Sequence, residues 1–426
     1  MLKPFKKIFQ NKKYNVLVFG SNQLNNAIAK KIKESPFLNE LYVANASEAI
    51  KKIGINIPLN NEELIKEAKR LKIDIFICND VANIQGIIDS FTENGIYCFG
   101  VNKRWTMLEA SKHTGKQFTE KYNIKHPKYS IIQTKDDIEN NIKNYTYPVV
   151  IKANGYATGT GVFICNSKED VIQKTDDILQ HKIHTRSKKV IMEEFILGKE
   201  ISYMQFWDGK NLISFPPVKD FKKRNNNDEG PNTGGMASFC PYTNLTEKEK
   251  EQLKNYDEKM KQILKKEKAD FSGIIYSGVI FKNEELYILE YNMRFGCPEG
   301  IALLSNLESD FLELLLYARK KQLNKFKLKY KNGTSFALSI TCLTYPYENN
   351  DICRIPIKKI KEIENNGINV LYGNGQFSNE YFEKNSSYVM VLEKNSENPF
   401  QDIYKYLEAN KIENAHYRTD IDNIHY

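Results

Sequence analysis

The sequence predicts a multidomain protein of mixed α/β and α+β class, on three observations. At 426 residues the chain is too long for one hydrophobic core of ordinary size. Near its start, short apolar runs alternate with segments of helical spacing, and from about residue 109 the texture changes to Gly-rich hairpins and longer strands. The first run, NVLVFG at residues 15–20, is apolar and β-branched and ends in Gly; a polar stretch follows, then helical spacing over residues 27–32. NEELIKEAKRLK has helical spacing and leads into IDIFIC at residues 73–78. Short buried strands alternating with helices mark a parallel layer, placed here at residues 14–108.

YPVVIKANGYATGTGVFIC (147–165) reads as strand, Gly-rich turn and strand, the signature of a hairpin. VIMEEFILGKE (190–200) is a strand running into a Gly turn. The stretch 220–235, DFKKRNNNDEGPNTGG, is too polar and too rich in Asn, Gly and Pro for a regular element, so a loop is expected. Beyond it come a charged helix at 246–266, the strands IIYSGVIF and ELYILEYN, and from about residue 335 a last unit opening with FALSITCLTY. No repeat of fixed period and no low-complexity linker separates these parts, so domains packed together are expected.

Composition narrows the function classes. With 41% hydrophobic and 27% charged residues the chain reads as soluble and globular, and no stretch reaches the roughly 18 apolar residues of a membrane span. The first residues, MLKPFKKIFQNKKY, are basic without the apolar segment of a secretory signal, so 1–13 is read as a solvated tail. A net charge of +9, mostly scattered Lys, reads as solvated faces; neither nucleic acid nor a membrane is expected as partner. Seven Cys without a CxxC suggest neither a disulfide framework nor a zinc site, and therefore the cytoplasm.

Three constellations have chemical content. Lys152 ends an apolar strand and is followed by Gly155, Gly159 and Gly161. An ammonium with glycines that let backbone N–H groups approach suits a polyphosphate, although an ordinary hairpin turn has the same look. Glu193, Glu194 and Phe195, with Glu200 one Gly turn later, offer backbone groups to an adenine edge and a carboxylate to a ribose; the alternative is a strand with solvated acids. In LEYNMRFG, strand alternation puts Glu290, Asn292 and Arg294 on one face and Leu289, Tyr291 and Met293 on the other. Two oxygen ligands suit Mg²⁺, which takes few protein groups and completes its shell with phosphates. Arg294 beside them can neutralise a transferring phosphoryl group.

In their order and spacing these stretches resemble the glycinamide ribonucleotide synthetase (phosphoribosylamine–glycine ligase) family of the ATP-grasp superfamily. The resemblance covers nearly the whole chain and rests on PVVIKANGYATGTGV, VIMEEFILGKE, GPNTGGM (230–236), LEYNMRFGCPE and AHYRTDI. It implies a Rossmann-like N-terminal domain at 14–108, a two-subdomain ATP-grasp domain at 109–335 with a flexible subdomain at about 130–195, and a small α+β C-terminal domain at 336–426. It places Lys112 and Lys152 on the phosphates of ATP, Glu193 to Phe195 at adenine, Glu200 at ribose, and Glu290 and Asn292 on Mg²⁺, with Mn²⁺ as a substitute. Arg294 and Lys152 are the implied catalytic groups. Asp220, Lys222, Asn232, Thr233, Gly234 and Gly235 become the wall around a carboxylate substrate, and Gly20, Ser21, Asn22 and Gln23 the amine side. The implied chemistry is phosphorylation of a carboxylate by ATP, then attack by an amine with loss of phosphate, in a monomer acting on small molecules.

The departures gather at one end. Where the family reads like GSGGREHA this chain has GSNQLNNA: Asn22 and Gln23 replace glycines, Leu24 an arginine and Asn26 a histidine. The GPE stretch is Asn79-Asp80-Val81, and the C-terminal HAGT and GGR stretches are Tyr372-Gly373-Asn374-Gly375 and Asn385-Ser386-Ser387. Thr160 replaces a usual Lys, and Cys297 a usual Asp. A charge-assisted contact to phosphate contributes about 1.5–3 kcal/mol. Losing an arginine and a glycine cradle therefore weakens a phosphorylated amine by roughly two to four powers of ten, unless Lys30 or Arg104 compensates. The expectation is a ligase for a glycine-like amino acid with an amine other than phosphoribosylamine. The alternatives are the phosphoribosylamine–glycine ligase of purine biosynthesis with drifted contacts, and a silent nucleotide-binding protein, against which Lys152, Glu290, Asn292 and Arg294 speak.

Overall fold

Tyr14–Phe19 is apolar on both faces, as a strand covered by helices on both sides must be, and it is the centre of a five-stranded parallel sheet. Its neighbours run in the order Ile55–Asn56, Leu38–Ala44, Tyr14–Phe19, Ile75–Cys78 and Tyr97–Phe99. The chain winds outward from Tyr14–Phe19 to one side and then to the other, so the winding reverses between Tyr14–Phe19 and Ile75–Cys78. Ligands of open parallel sheets bind beyond the C-terminal ends of the strands at such a reversal. Gly20 and Asn79 stand there together, because Phe19 and Cys78 are register partners. The computed structural model describes residues 12–155, 161–180, 189–347, 351–385 and 387–423.

The following helix is longer than its apolar spacing: it spans Gln23–Lys33, because the Asn22 side chain caps it by accepting from the Asn25 N–H at 2.9 Å. Two four-stranded antiparallel sheets come next. One has the order Tyr129–Ile132, Val190–Glu194, Val149–Ala153 and Val162–Cys165; the other has Leu212–Ser214, Lys199–Trp207, Gly273–Lys282 and Glu285–Asn292. The charged helix Glu247–Lys266 starts from a capping box of Thr246 and Glu249.

The stretch 220–235 is a hairpin and not a loop. Lys219–Asn225 and Glu229–Cys240 pair around a turn in which Asn227 has φ 59°. Its polar residues sit at two register shifts, while the buried end Ala237–Cys240 is held by pairing to Thr334–Cys342. Composition misled because the anchor is the neighbouring strand. The sheet continues through Thr334–Cys342 to Tyr388–Ser396 and Asn369–Tyr372.

A single apolar cluster runs through all three parts of the molecule. Phe99 of the parallel sheet stacks edge-on against Phe206 at 5.1 Å and Phe311 at 5.8 Å, and the same cluster includes Phe295, Ala337 and Val391. Near the C-terminus Arg418, fully buried, is bidentate to Asp420 at 2.9 and 2.7 Å and reaches Asp228 in the hairpin turn at 2.5 Å. Breaking such a pair leaves buried charge behind, so Arg418→Met is expected to cost about 3 kcal/mol, the low end because Asp228 is exposed. Thermal melting tests this, and an unshifted midpoint would mean that Arg418 contributes nothing to stability.

Candidate active site

The site is built from charged groups that no single element could hold alone. The helix Lys112–Lys121 starts where Ser111 caps it, and puts Lys112 and Lys116 one turn apart on the same face. Lys112 Nζ lies 3.9 Å from Glu290 Oε2 and donates to the Gly155 carbonyl at 3.4 Å. Lys116 Nζ is 3.2 Å from Glu193 Oε1 as an ion pair without hydrogen-bond geometry, and Lys152 Nζ holds Glu193 Oε2 at 2.8 Å. Glu193 is 1% exposed. Burial works against its charge, but the two ammonium groups more than offset this and hold it below the usual carboxylate range. Burial lowers Lys116 to about 8, although Glu193 opposes the fall.

Glu290 has the same balance. Burial would raise it; Lys112, Lys222 and Lys152, with a hydrogen bond involving Asn292, bring it down to about 2. It is therefore a carboxylate at every working pH. A carboxylate and an amide oxygen such as Glu290 and Asn292 carry are hard donors of the kind taken by a divalent cation that shares its shell with phosphates. Among the described residues no group of three or more His, Cys, Asp and Glu could hold a metal.

Strand alternation does not describe the neighbourhood fully. A bulge at Leu289 pairs Gly278 with Glu290 and Val279 with Ile288. The core face is consequently Ile288, Tyr291 and Met293, and Leu289 is only half-buried. Arg294 lies past the end of Glu285–Asn292 and is placed by Glu109, whose two oxygens take its Nε–H and the Met293 N–H, each at 2.9 Å.

The residues expected to wall a substrate are equally anchored. Glu200 Oε1 accepts from Lys222 Nζ at 2.9 Å, and Lys222 is also 3.5 Å from Asp220 Oδ2. Thr233 Oγ1 donates to the Lys222 carbonyl, Gly234 N–H donates to the Tyr345 hydroxyl at 3.0 Å, and Asn232 reaches across to the Val162 carbonyl at 3.2 Å. Gly235 has φ +128°, and a Cβ there would meet Pro298 at 2.5 Å, so only glycine fits. Glu194 ends the inner strand Val190–Glu194 and Phe195 follows it, both half-buried, and Glu194 N–H donates to the Lys128 carbonyl. Gly161 accepts from the Ala153 N–H at 2.8 Å; Gly159 lies outside the described residues.

In the N-terminal loop, Gln23 is buried against Gly373, which leaves no room for a Cβ beside its Nε2. The N-terminal loop and the Tyr372–Gly375 turn therefore meet in space. Gly20 N–H donates to the Ala44 carbonyl, Ser21 is half-buried, and Asn22 is occupied as the helix cap. Leu24 is 1% exposed and packs on Gly300. The Cys297 thiol is pushed up to about 12 by burial and next by Glu299, against Arg294 and the Leu24 N–H, which places the loop beside the Arg294 turn. Asn79 locks that turn by accepting from the Phe295 N–H at 2.8 Å. Of the two candidate compensating cations, Arg104 is paired with Glu267 at 2.9 Å, whereas Lys30 donates to the Val370 carbonyl at 2.9 Å.

Sequence reasoning missed Lys116, Glu109 and Tyr345. For Lys116 the i, i+4 spacing from Lys112 was the available signal. Glu109 and Tyr345 act on partners 185 and 111 positions away and leave no local trace.

Family models match two consecutive parts of the chain: the N domain of phosphoribosylglycinamide synthetase over residues 14–109, and its ATP-grasp (A) domain over 110–300. A phosphoribosylamine–glycine ligase of Fusobacterium nucleatum is 31% identical over 423 residues, covering 96% of this chain and 98% of its own. One from Caldanaerobacter subterraneus is 34% identical over 342 residues, covering 78% and 81%. The crystal structure of a phosphoribosylamine–glycine ligase from Thermotoga maritima has the same fold, with TM-score 0.79 at 24% identity, over 95% of this chain and 99% of that one. A biotin carboxylase domain from Hydrogenobacter thermophilus, solved with MgADP and bicarbonate, matches with TM-score 0.71 at 16% identity, over 95% and 92%.

Proposed function

This chain belongs to the phosphoribosylglycinamide synthetase family, a family of ATP-grasp ligases forming C–N bonds, and from that premise we propose that it joins glycine to phosphoribosylamine with conversion of ATP to ADP and phosphate. The observation that supports this most is the convergence of Lys112, Lys116, Lys152, Glu193 and Glu290 from two sheets and the helix beside them onto one crevice. Bound ATP with Mg²⁺ supplies the phosphoryl group that activates the glycine carboxylate. Lys112 and Lys152 hold its phosphate charge, Glu290 and Asn292 hold the cation, and Glu109 keeps Arg294 oriented for the phosphoryl group in transfer. Lys222 and the Thr233–Gly235 segment of its hairpin bound the carboxylate, and Gln23 with Gly373 bounds the amine.

The different amine expected from the N-terminal loop ranks below this reading. Its basis is the missing guanidinium, since Leu24 is buried. The helix Gln23–Lys33 nevertheless has no acidic residue in its first turn, so its N-terminal end does not repel a phosphate. Similarity along almost the whole chain to ligases of the family name also supports the family's own amine. The test is incubation with ATP, Mg²⁺, glycine and phosphoribosylamine generated in situ. One amide per ADP is expected; ADP release with another amine, and no amide with phosphoribosylamine, overturns the reading.

A further inference from the structure

Behind the substrate wall runs a buried polar chain that the steps above leave unused. Glu299 opens the helix Glu299–Asn306 directly after Pro298. Its Oε1 accepts from the Tyr276 hydroxyl at 2.8 Å, Tyr276 meets Ser202 Oγ at 2.7 Å, and Ser202 meets Asp220 Oδ1 at 3.1 Å. Asp220 Oδ2 then faces Lys222 Nζ, 3.5 Å away. Glu299, Tyr276, Ser202 and Asp220 are between 1% and 8% exposed. Glu299 Oε2 is buried and has no hydrogen-bond partner among the described residues.

Counting protons gives these contacts a meaning. Between the two carboxyls there are three contacts of hydrogen-bond length but only two hydroxyl hydrogens, one on Tyr276 and one on Ser202. All three are hydrogen bonds only if one carboxyl is protonated. The chain is thus built to hold one extra proton, and to pass it by rotating two hydroxyls. We propose that Glu299 is the catalytic base of the ligation, taking on its unpartnered Oε2 the proton that the attacking amine must shed and sharing it with Asp220 through Tyr276 and Ser202.

The step balances. An acyl phosphate reacts with the neutral amine, which the ring oxygen on the same carbon keeps weakly basic: the C–N bond forms, and the C–O bond to phosphate breaks with its electron pair leaving on phosphate. Of the two protons on nitrogen, one stays in the amide, and Glu299 takes the other and returns it to the departing phosphate, which leaves as hydrogen phosphate. Its basicity suits this role, because burial first, and the Asp220 charge second, push Glu299 up to about 7, while Lys222 and Tyr276 oppose them. Cys297 also faces it, with a thiol that stays protonated.

The proposal rests on the ligation above, and the experiment separates the two. In the full chain, Glu299→Gln is assayed with phosphoribosylamine and with hydroxylamine, a nucleophile that reacts with acyl phosphates without a catalyst. Amide formation with phosphoribosylamine is expected to fall on the order of 10²-fold or more, with hydroxamate formation kept within a few-fold. The wild-type rate should fall as pH drops below about 7, because the base form is lost, and this limb should vanish in the variant. Tyr276→Phe, which interrupts the chain without removing a charge, should show the same split between nucleophiles. Equal loss with both nucleophiles, or no loss with either, overturns the proposal. Wild-type protein that makes the hydroxamate but no amide with phosphoribosylamine overturns the ligation itself, and that is read before any variant is compared.

Discussion

Lys152→Ala is expected to lose at least two orders of magnitude in kcat/KM while keeping its fold. The loss follows from where the ammonium stands: it is 6% exposed, at the end of Val149–Ala153, with one donor on Glu193 Oε2 at 2.8 Å and its others available to a polyphosphate. A preorganised charge at a site of developing negative charge typically contributes 10²–10³-fold, about 2.7–4 kcal/mol. The fold survives because Glu193 is not abandoned. Lys116 remains 3.2 Å from its other oxygen, so no buried carboxylate is left without a cation. Steady-state ADP release gives the rate, and circular dichroism with a thermal melt gives the fold. Activity near wild type in a folded variant would mean that the phosphate grip is elsewhere.

The same pair of lysines shows how much of the site was legible in the sequence. Lys152 announces itself as a candidate, because an apolar strand ending in Lys before a Gly-rich turn is a pattern written locally, even though an ordinary hairpin shares it. Lys116 does not, because one Lys in a helix of ordinary polarity looks like every other solvated Lys until the helix is seen to bury that face, where Lys116 is 3% exposed. The parallel layer, the hairpin at Lys152 and the helix Glu247–Lys266 were readable because each is written in local periodicity. The hairpin Lys219–Cys240 was not, since its stability lies in pairing to Thr334–Cys342, a hundred residues away. The bulge at Leu289 was hidden for a similar reason: one unpaired residue reverses the parity of all that follow, and nothing local marks it. Glu299 read as part of a family motif, and only the contacts to Tyr276 and through Ser202 to Asp220 give it work of its own.

Glu290→Gln is expected to raise the Mg²⁺ concentration needed for half-maximal ADP release by roughly ten- to a hundred-fold, the effect of losing one charged ligand worth about 1.5–3 kcal/mol. The direction of the pKa shift decides how this depends on pH. Glu290 stands among Lys112, Lys152 and Lys222, and its folded pKa of about 2 is depressed by them against burial. A depressed carboxylate is ionised throughout the neutral range, so the Mg²⁺ requirement of the wild-type protein should not rise as pH falls from 8 to 6. Only on approach to the folded pKa should metal binding, and the stability that the charge provides, be lost. The substitution leaves three lysines with one counter-charge fewer, which favours any anion in the crevice. Affinity for metal-free ATP should therefore hold or increase while the metal requirement climbs. A general loosening of the site would weaken both together. A metal titration of ADP release beside a metal-free nucleotide titration tells these apart, and an unchanged metal requirement would mean that Glu290 is no metal ligand and serves only as a counter-ion to the lysines.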